Sequence, residues 1–243
     1  MSIINLEFKI YYQQKNDNNI ADIALMDLHQ ITRHLDIFFG RKKVWHLKGN
    51  SKKQALQNIV FDENGPTEVA IKRFKKDYAE NNSLDLITGI WDGEKDDHSC
   101  SISYYYFMNI NRPDSTTIGL DLNIDAKELT ISKLLDMTTY LITSRNSPII
   151  QIETNNYTLK NNKVFPDRLG VGWAFYTPNV LDTNVLPEAE DIQIIYQDNK
   201  AIGTLIFSKK GIFDGKNQED IYKSNDIEIR LRDLGLLPLR TEL

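Results

Sequence analysis

Cysteine is almost absent from this chain: Cys100 is the single one in 243 residues. One thiol cannot close an internal disulfide, nor supply the several thiolates of a structural zinc or iron–sulfur site. It fits a reducing compartment. Proline and glycine are sparse, at 7 and 12, which excludes collagen-like and linker-dominated chains. Positive charge is in deficit, with 29 Lys and Arg against 34 Asp and Glu and a net charge of −5. That balance argues against non-specific nucleic-acid binding, which needs a cationic surface to neutralise phosphate. No apolar run approaches the ~20 residues of a membrane span. The opening residues Met1–Glu7 lack the basic and apolar regions of a secretory leader. The expectation is a soluble, cytoplasmic protein that does not engage membranes.

Hydrophobic residues make up 41% of the chain and charged residues 26%, enough to bury a sizeable core. Ile4 to Tyr12 alternates as a strand with Leu6, Phe8 and Ile10 on one face. Ile20, Ala24, Leu28, Ile31, Leu35 and Phe38 recur at helical spacing up to Gly40, a natural stop. Arg41, Lys42 and Lys43 then fall where the helix dipole favours cations. Val44 to Leu47 reads as a strand, and Ser51 to Gln54 as a capping box opening a short helix that carries Ala55, Leu56 and Ile59. Pro66 suits the first position of the next helix, whose buried face is Ala70, Phe74 and Tyr78.

Strands are expected over Leu84 to Trp91, Cys100 to Ile110 and Thr117 to Ile124, with Asn111 to Ser115 joining the last two. Thr130 caps a helix whose buried stripe is Ile131, Leu134, Leu135, Thr138, Leu141 and Ile142. A strand over Ile149 to Glu153, a polar loop over Asn155 to Lys163 and an alternating strand over Val171 to Tyr176 follow. Asp191 to Tyr196 and Ala201 to Phe207 form a hairpin, and a helix from Asn217 to Leu234 ends at Gly235 in a Schellman-type contact by Leu236. Strands and helices are segregated, which predicts an α+β fold: antiparallel meander sheets with helices packed on one face. The two halves, 1–125 and 126–243, share a loose plan without a sequence repeat, and no linker separates them, so one continuous domain over 1–243 is expected.

The motifs of chemistry are missing. His29 and His34 are five apart, which swings the second ring off a shared helix face, so no metal site is read there. Asp96-Asp97-His98-Ser99-Cys100 has ligand types without identifiable partners. No G-x-S-x-G elbow exists, and Cys100 has His98 only as a strand neighbour. Gly170-Val171-Gly172 runs into Trp173 and a strand rather than a helix start, which disqualifies it as a phosphate cradle. Glu7-Phe8-Lys9 has the spacing of a metal-dependent nuclease but no acid before it. The expectation is a non-enzyme without cofactor.

What stands out is acid and tyrosine. One carboxylate cluster is Asp92, Glu94, Asp96 and Asp97, and another is Glu188, Glu190 and Asp191. Such clusters occur as solvated loops, and they also steer basic partners. In the run Tyr104-Tyr105-Tyr106-Phe107 alternation sends one pair away from the core, and Tyr105 becomes a candidate contact.

Trp45-His46-Leu47-Lys48-Gly49, then Ser51-Lys52-Lys53-Gln54-Ala55-Leu56 and Val60-Phe61-Asp62, resemble the first signature of the immunity protein 52 family of bacterial polymorphic-toxin and type VI secretion systems. Gly170-Val171-Gly172-Trp173, Leu186-Pro187-Glu188-Ala189, Gly203-Thr204-Leu205-Ile206, Phe213-Asp214-Gly215 and the ending Ile227 to Pro238 resemble its later landmarks in order. The resemblance implies an antidote that binds a cognate secreted toxin, a nuclease of the restriction-endonuclease fold, and covers its cleft. It brings no catalytic residues. The contacts expected on charge and aromatic placement are Asp92, Glu94, Asp96, Asp97, Tyr105, Glu188, Glu190 and Asp191. A hydrolase or transferase with an unrecognised pocket and a ligand-sensing regulatory domain stand as alternatives. The sequence leaves the oligomeric state open.

Overall fold

The computed structural model describes residues 2–14, 19–95, 97–109 and 112–243. Two compact units divide the chain: Gln13–Leu129 with Ser2 and Ile3, and Ile4–Tyr12 with Thr130–Leu243. The opening strand belongs with the C-terminal unit. That strand, β1 (Ile3–Gln13), pairs antiparallel with residues 149–154 from Leu6 opposite Thr154 to Tyr11 opposite Ile149. A pairing across more than a hundred residues leaves no trace in local periodicity.

In chain order the first unit continues with α1 (Ile20–Phe39), β2 (His46–Leu47), α2 (Lys52–Ala55), β3 (Phe61–Asp62), β4 (Gly65–Pro66), α3 (Glu68–Glu80), β5 (Asp85–Trp91), β6 (Cys100–Asn109) and β7 (Arg112–Asp125). Its strands lie in the order β7-β6-β5-β2, all antiparallel, with β3 and β4 as a separate hairpin. Even-numbered residues point inward: Leu86, Ile102, Tyr104, Tyr106, Ile118, Leu120 and Leu122 are all buried. Helices α1 and α3 pack on each other and on the strands, closing the core with Leu28, Ile31, Leu35 and Phe74. Gly40 stops α1 in the left-handed region at φ 65°.

Several local expectations shift here. Pro66 lies in β4, and Thr67 caps α3 by accepting the Ala70 N–H. Helix α2 is four residues long, and Leu56 and Ile59 beyond it are exposed. The Gln54 side chain accepts from the Asn50 N–H, one residue ahead of a strict capping box. Residues 112–115 extend β7 rather than joining it to β6. The expected strand over 44–47 is reduced to β2.

The second unit adds α4 (Ile131–Thr143), β8 (Ile149–Thr154), β9 (Ala174–Thr177), β10 (Asp191–Gln197), β11 (Lys200–Phe207) and α5 (Gln218–Asp233). Its strands run in the order β10-β11-β9-β8-β1 with antiparallel pairing. Asp198 and Asn199, both at positive φ, form the two-residue turn joining β10 and β11, the twist that suits a hairpin. After α5 the Leu236 N–H returns to the Leu231 carbonyl and the Gly235 N–H to Arg232, which is the Schellman arrangement. A core of Val171, Phe175, Leu186, Ile206, Ile227 and Leu231 holds α5 to the strands. Strands β8 and β9 are buried on both faces, and the strand expected over Val171 to Tyr176 begins only at Ala174. Among the described residues, no helix is long and apolar enough to cross a membrane.

Candidate partner-binding surface

The outer face of the first unit's strands carries the aromatic residues that alternation turns away from the core. Tyr104 and Tyr106 are fully buried, whereas Tyr105 and Phe107 face out half-buried, their rings 6.5 Å apart and within 9° of parallel. Across the strands Ile87 lies opposite Tyr105 and Tyr105 opposite Thr117. Ile87 is 53% exposed. Beside it a cleft of about 120 Å³ is lined by Leu47, Lys48, Arg73, Asp77, Ile87, Thr88, Gly89 and Tyr105.

The loop between β5 and β6 presents Glu94 and Asp97 to solvent; Asp96 lies outside the described residues. Asp92 is different. Its side chain is 0% exposed and stands 2.5 Å from the Lys43 ammonium, itself 3% exposed. Its other oxygen accepts the N–H groups of Glu94 (3.2 Å) and Cys100 (3.0 Å). The expectation that Asp92 belongs to an exposed carboxylate cluster is therefore corrected: it shapes the loop from inside. Lys43 likewise leaves the helix terminus where the sequence placed it and supplies the buried countercharge.

In the second unit Glu188 is exposed. Glu190 is half-buried, ion-paired with Lys223, and accepts the Lys210 N–H at 2.8 Å. These contacts hold its carboxyl below the usual range. Asp191 opens β10 and accepts from the Gln193 amide at 2.9 Å. Glu190 and Asp191 are thus engaged within their own unit, which leaves Glu188 as the exposed member of the cluster.

His29, His34 and the thiol have ordinary surroundings. His29 stacks on Phe61 with centroids 4.9 Å apart, and the His34 ring lies 3.0 Å from the Gln30 carbonyl. Cys100 is buried, and burial pushes its thiol up to about 12, far from the thiolate a nucleophile needs. Among the described residues, no group of three or more His, Cys, Asp or Glu is placed to hold a metal ion.

The sequence missed a buried polar set in the second unit. Glu153 and Glu228 are 0% exposed. Glu228 accepts from the Tyr157 hydroxyl (2.8 Å) and the N–H groups of Val171 (2.9 Å) and Val164 (2.8 Å). Glu153 accepts from the Gln151 amide at 2.6 Å and from the Thr158 hydroxyl, with Lys9 at 3.6 Å. Each carboxylate ties the loop after β8 to its neighbours, and this explains several landmark residues. Gly170 lies against Glu228 and Gln151, where a Cβ would come within 3.1 and 3.3 Å. Phe213 offers its carbonyl to Thr154, and Asp214 accepts from Asn155. Tyr157, inside a stretch that reads as polar loop, gave no signal beyond being its one aromatic residue.

No known family profile matches the chain, and no curated protein matches it. Among solved structures, the Pseudomonas aeruginosa T6SS protein PA0821 is similar over 97% of this chain and 73% of its own length, with a TM-score of 0.53 and 10% sequence identity. At that identity the likeness is one of fold.

Proposed function

We propose that this protein is a non-enzymatic immunity protein of a type VI secretion context, which binds a cognate nuclease-type toxin and covers its substrate cleft. The observation that carries the reading is the outer face of the first unit: Ile87, Tyr105 and Phe107 offer apolar and aromatic area, on strands whose connecting loop presents Glu94 and Asp97 to solvent. Aromatic area supplies contact energy at low entropy cost, and the carboxylates favour encounter with a cationic nuclease surface. The resemblance of residues 45–62 and 170–238 to the immunity protein 52 family, and the fold likeness to a T6SS protein of Pseudomonas aeruginosa, support it. In this reading Glu188 of the second unit is a further contact, and Asp92 acts only through the loop it holds.

The reading expects a toxin module encoded beside this gene, and the test uses that module. Glu94→Lys with Asp97→Lys slows association and weakens its salt dependence, while Tyr105→Ala mainly speeds dissociation. Kinetics unchanged by all three substitutions remove this face from the interface.

A further inference from the structure

The edge of β5 is left half-paired. The Asp92 N–H donates to the Cys100 carbonyl and the Met108 N–H to the Leu84 carbonyl, both at 3.0 Å. In an antiparallel ladder such pairs recur at every second residue, so the even-numbered residues of β5 direct their backbone groups toward β6. The odd-numbered residues Asp85, Ile87, Gly89 and Trp91 direct theirs to the other edge. There β2 covers only Trp91 and Ile90, opposite His46 and Leu47, and the Leu47 N–H turns away to the Asn58 carbonyl. Among the described residues, no strand takes up the outward N–H and C=O groups of Asp85, Ile87 and Gly89. The cleft beside Ile87 reaches Leu47 and Lys48 at the end of β2 and is lined also by Arg73 and Asp77 of α3.

We infer that a second copy of this chain occupies that edge, β5 against β5, antiparallel about Ile87. The register is self-complementary: Ile87 falls opposite Ile87 of the second copy, and Asp85 opposite Gly89, all on outward-directed positions. Charge closes the pairing. The Lys48 ammonium lies 3.2 Å from where a Gly89 Cβ would stand, on the face that carries Ile87 and Asp85. Among the described residues it has no ion-pair partner. Residues directly opposite in a ladder share a face at roughly 5.5 Å between Cα atoms, so Lys48 of each copy comes beside Asp85 of the other. Two-fold symmetry makes both contacts at once. Asn82 and Ser83, both at positive φ, bend the chain next to Leu84, the residue that falls opposite Ile90 at the end of β2, so the shared ladder is confined to residues 85–89. The exposed Ile87 gains an apolar cross-strand neighbour.

Sedimentation of the purified chain across a concentration series tests this, together with amide exchange at Ile87 and Gly89. The wild type moves with concentration from 28.1 kDa toward twice that mass, and the two amides gain protection as it does. Lys48→Asp, an exposed substitution, and Asp85→Lys each place like charges together and leave monomers. Mixing these two variants restores a dimer, since each then carries the charge the other lacks. Asp85 also accepts the Met108 N–H; if Asp85→Lys fails to fold, Lys48→Asp and the exchange data decide alone. A wild type that stays monomeric at its highest soluble concentration overturns the inference, as does a dimer indifferent to Lys48→Asp. Protection of Ile87 by a foreign strand in a chain that is monomeric alone overturns it too. None of these outcomes depends on the toxin.

Discussion

Lys43 and Asp92, far apart in the chain, meet 2.5 Å apart with side chains 3% and 0% exposed. Removing one partner of a buried pair strands the other charge away from water, at a cost of about 3–5 kcal/mol. Asp92→Leu should lower the unfolding free energy by that order, read as a fall in the urea midpoint at unchanged slope. Lys43→Met with Asp92→Leu should recover part of the loss, the rest remaining because Asp92 also holds the Glu94 and Cys100 N–H groups. A single variant as stable as the wild type would contradict this role.

Tyr157 is fully buried, its hydroxyl 2.8 Å from both Glu228 and Asn225 and accepting from Ser224 at 3.1 Å. Tyr157→Phe keeps the ring and leaves these groups short of a partner. The expected loss is about 1–3 kcal/mol of unfolding free energy, together with faster amide exchange at Val164 and Val171, whose N–H groups share Glu228.

Glu190 gives a pH dependence whose sign is fixed. Its hydrogen bond from Lys223 lowers its folded-state pKa below the ordinary 4.5. Its contribution is therefore present above the unfolded value and is lost as pH falls through the lower, folded one. Glu190→Gln should lower stability slightly in the neutral range, where the contribution is present, and converge with the wild type as pH falls below the ordinary 4.5, so that the acid limb becomes less steep. The pair is partly solvated, so the change is small and is best read as a shift in midpoint measured at low salt. An unaltered acid limb would exclude the pair as a contributor.

Gly215 has no room for a side chain: a Cβ there would stand 2.1 Å from the Thr154 carbonyl oxygen and 3.1 Å from the Tyr157 Cβ. The first obstacle is backbone and cannot swing aside. Gly215→Ala should cost about 1–3 kcal/mol by overpacking, visible in thermal melts, whereas Gly211→Ala, where a Cβ would meet only Lys209 Cε at an ordinary 3.8 Å, should be neutral.

Local pattern was enough wherever one face is wet. The alternation of β1 and β7, the stripe of α1 and the stop signals at Gly40 and Gly235 are all read from neighbouring residues. It failed where tertiary partners decide. Lys43 follows a helix and looks like a surface cation until Asp92, 49 residues on, closes over it. The segment 171–176 alternates in sequence, but its surroundings bury both faces. Tyr157 sits among polar residues that are there to bond one another. The expected interaction residues divided in the same way: Glu94, Asp97 and Glu188 are exposed, and Asp92 and Glu190 were claimed by cations from distant segments.

The central claim is that this chain neutralises a toxin by binding it. The direct measurement is growth of cells expressing the neighbouring toxin module with the wild-type chain or with its Glu94→Lys, Asp97→Lys, Tyr105→Ala variant, alongside pull-down of the pair. The account predicts rescue and a stable complex with the wild type, and weakened rescue with a folded variant. Cells that die with the wild-type chain present, or a toxin module that the chain does not retain, would contradict it.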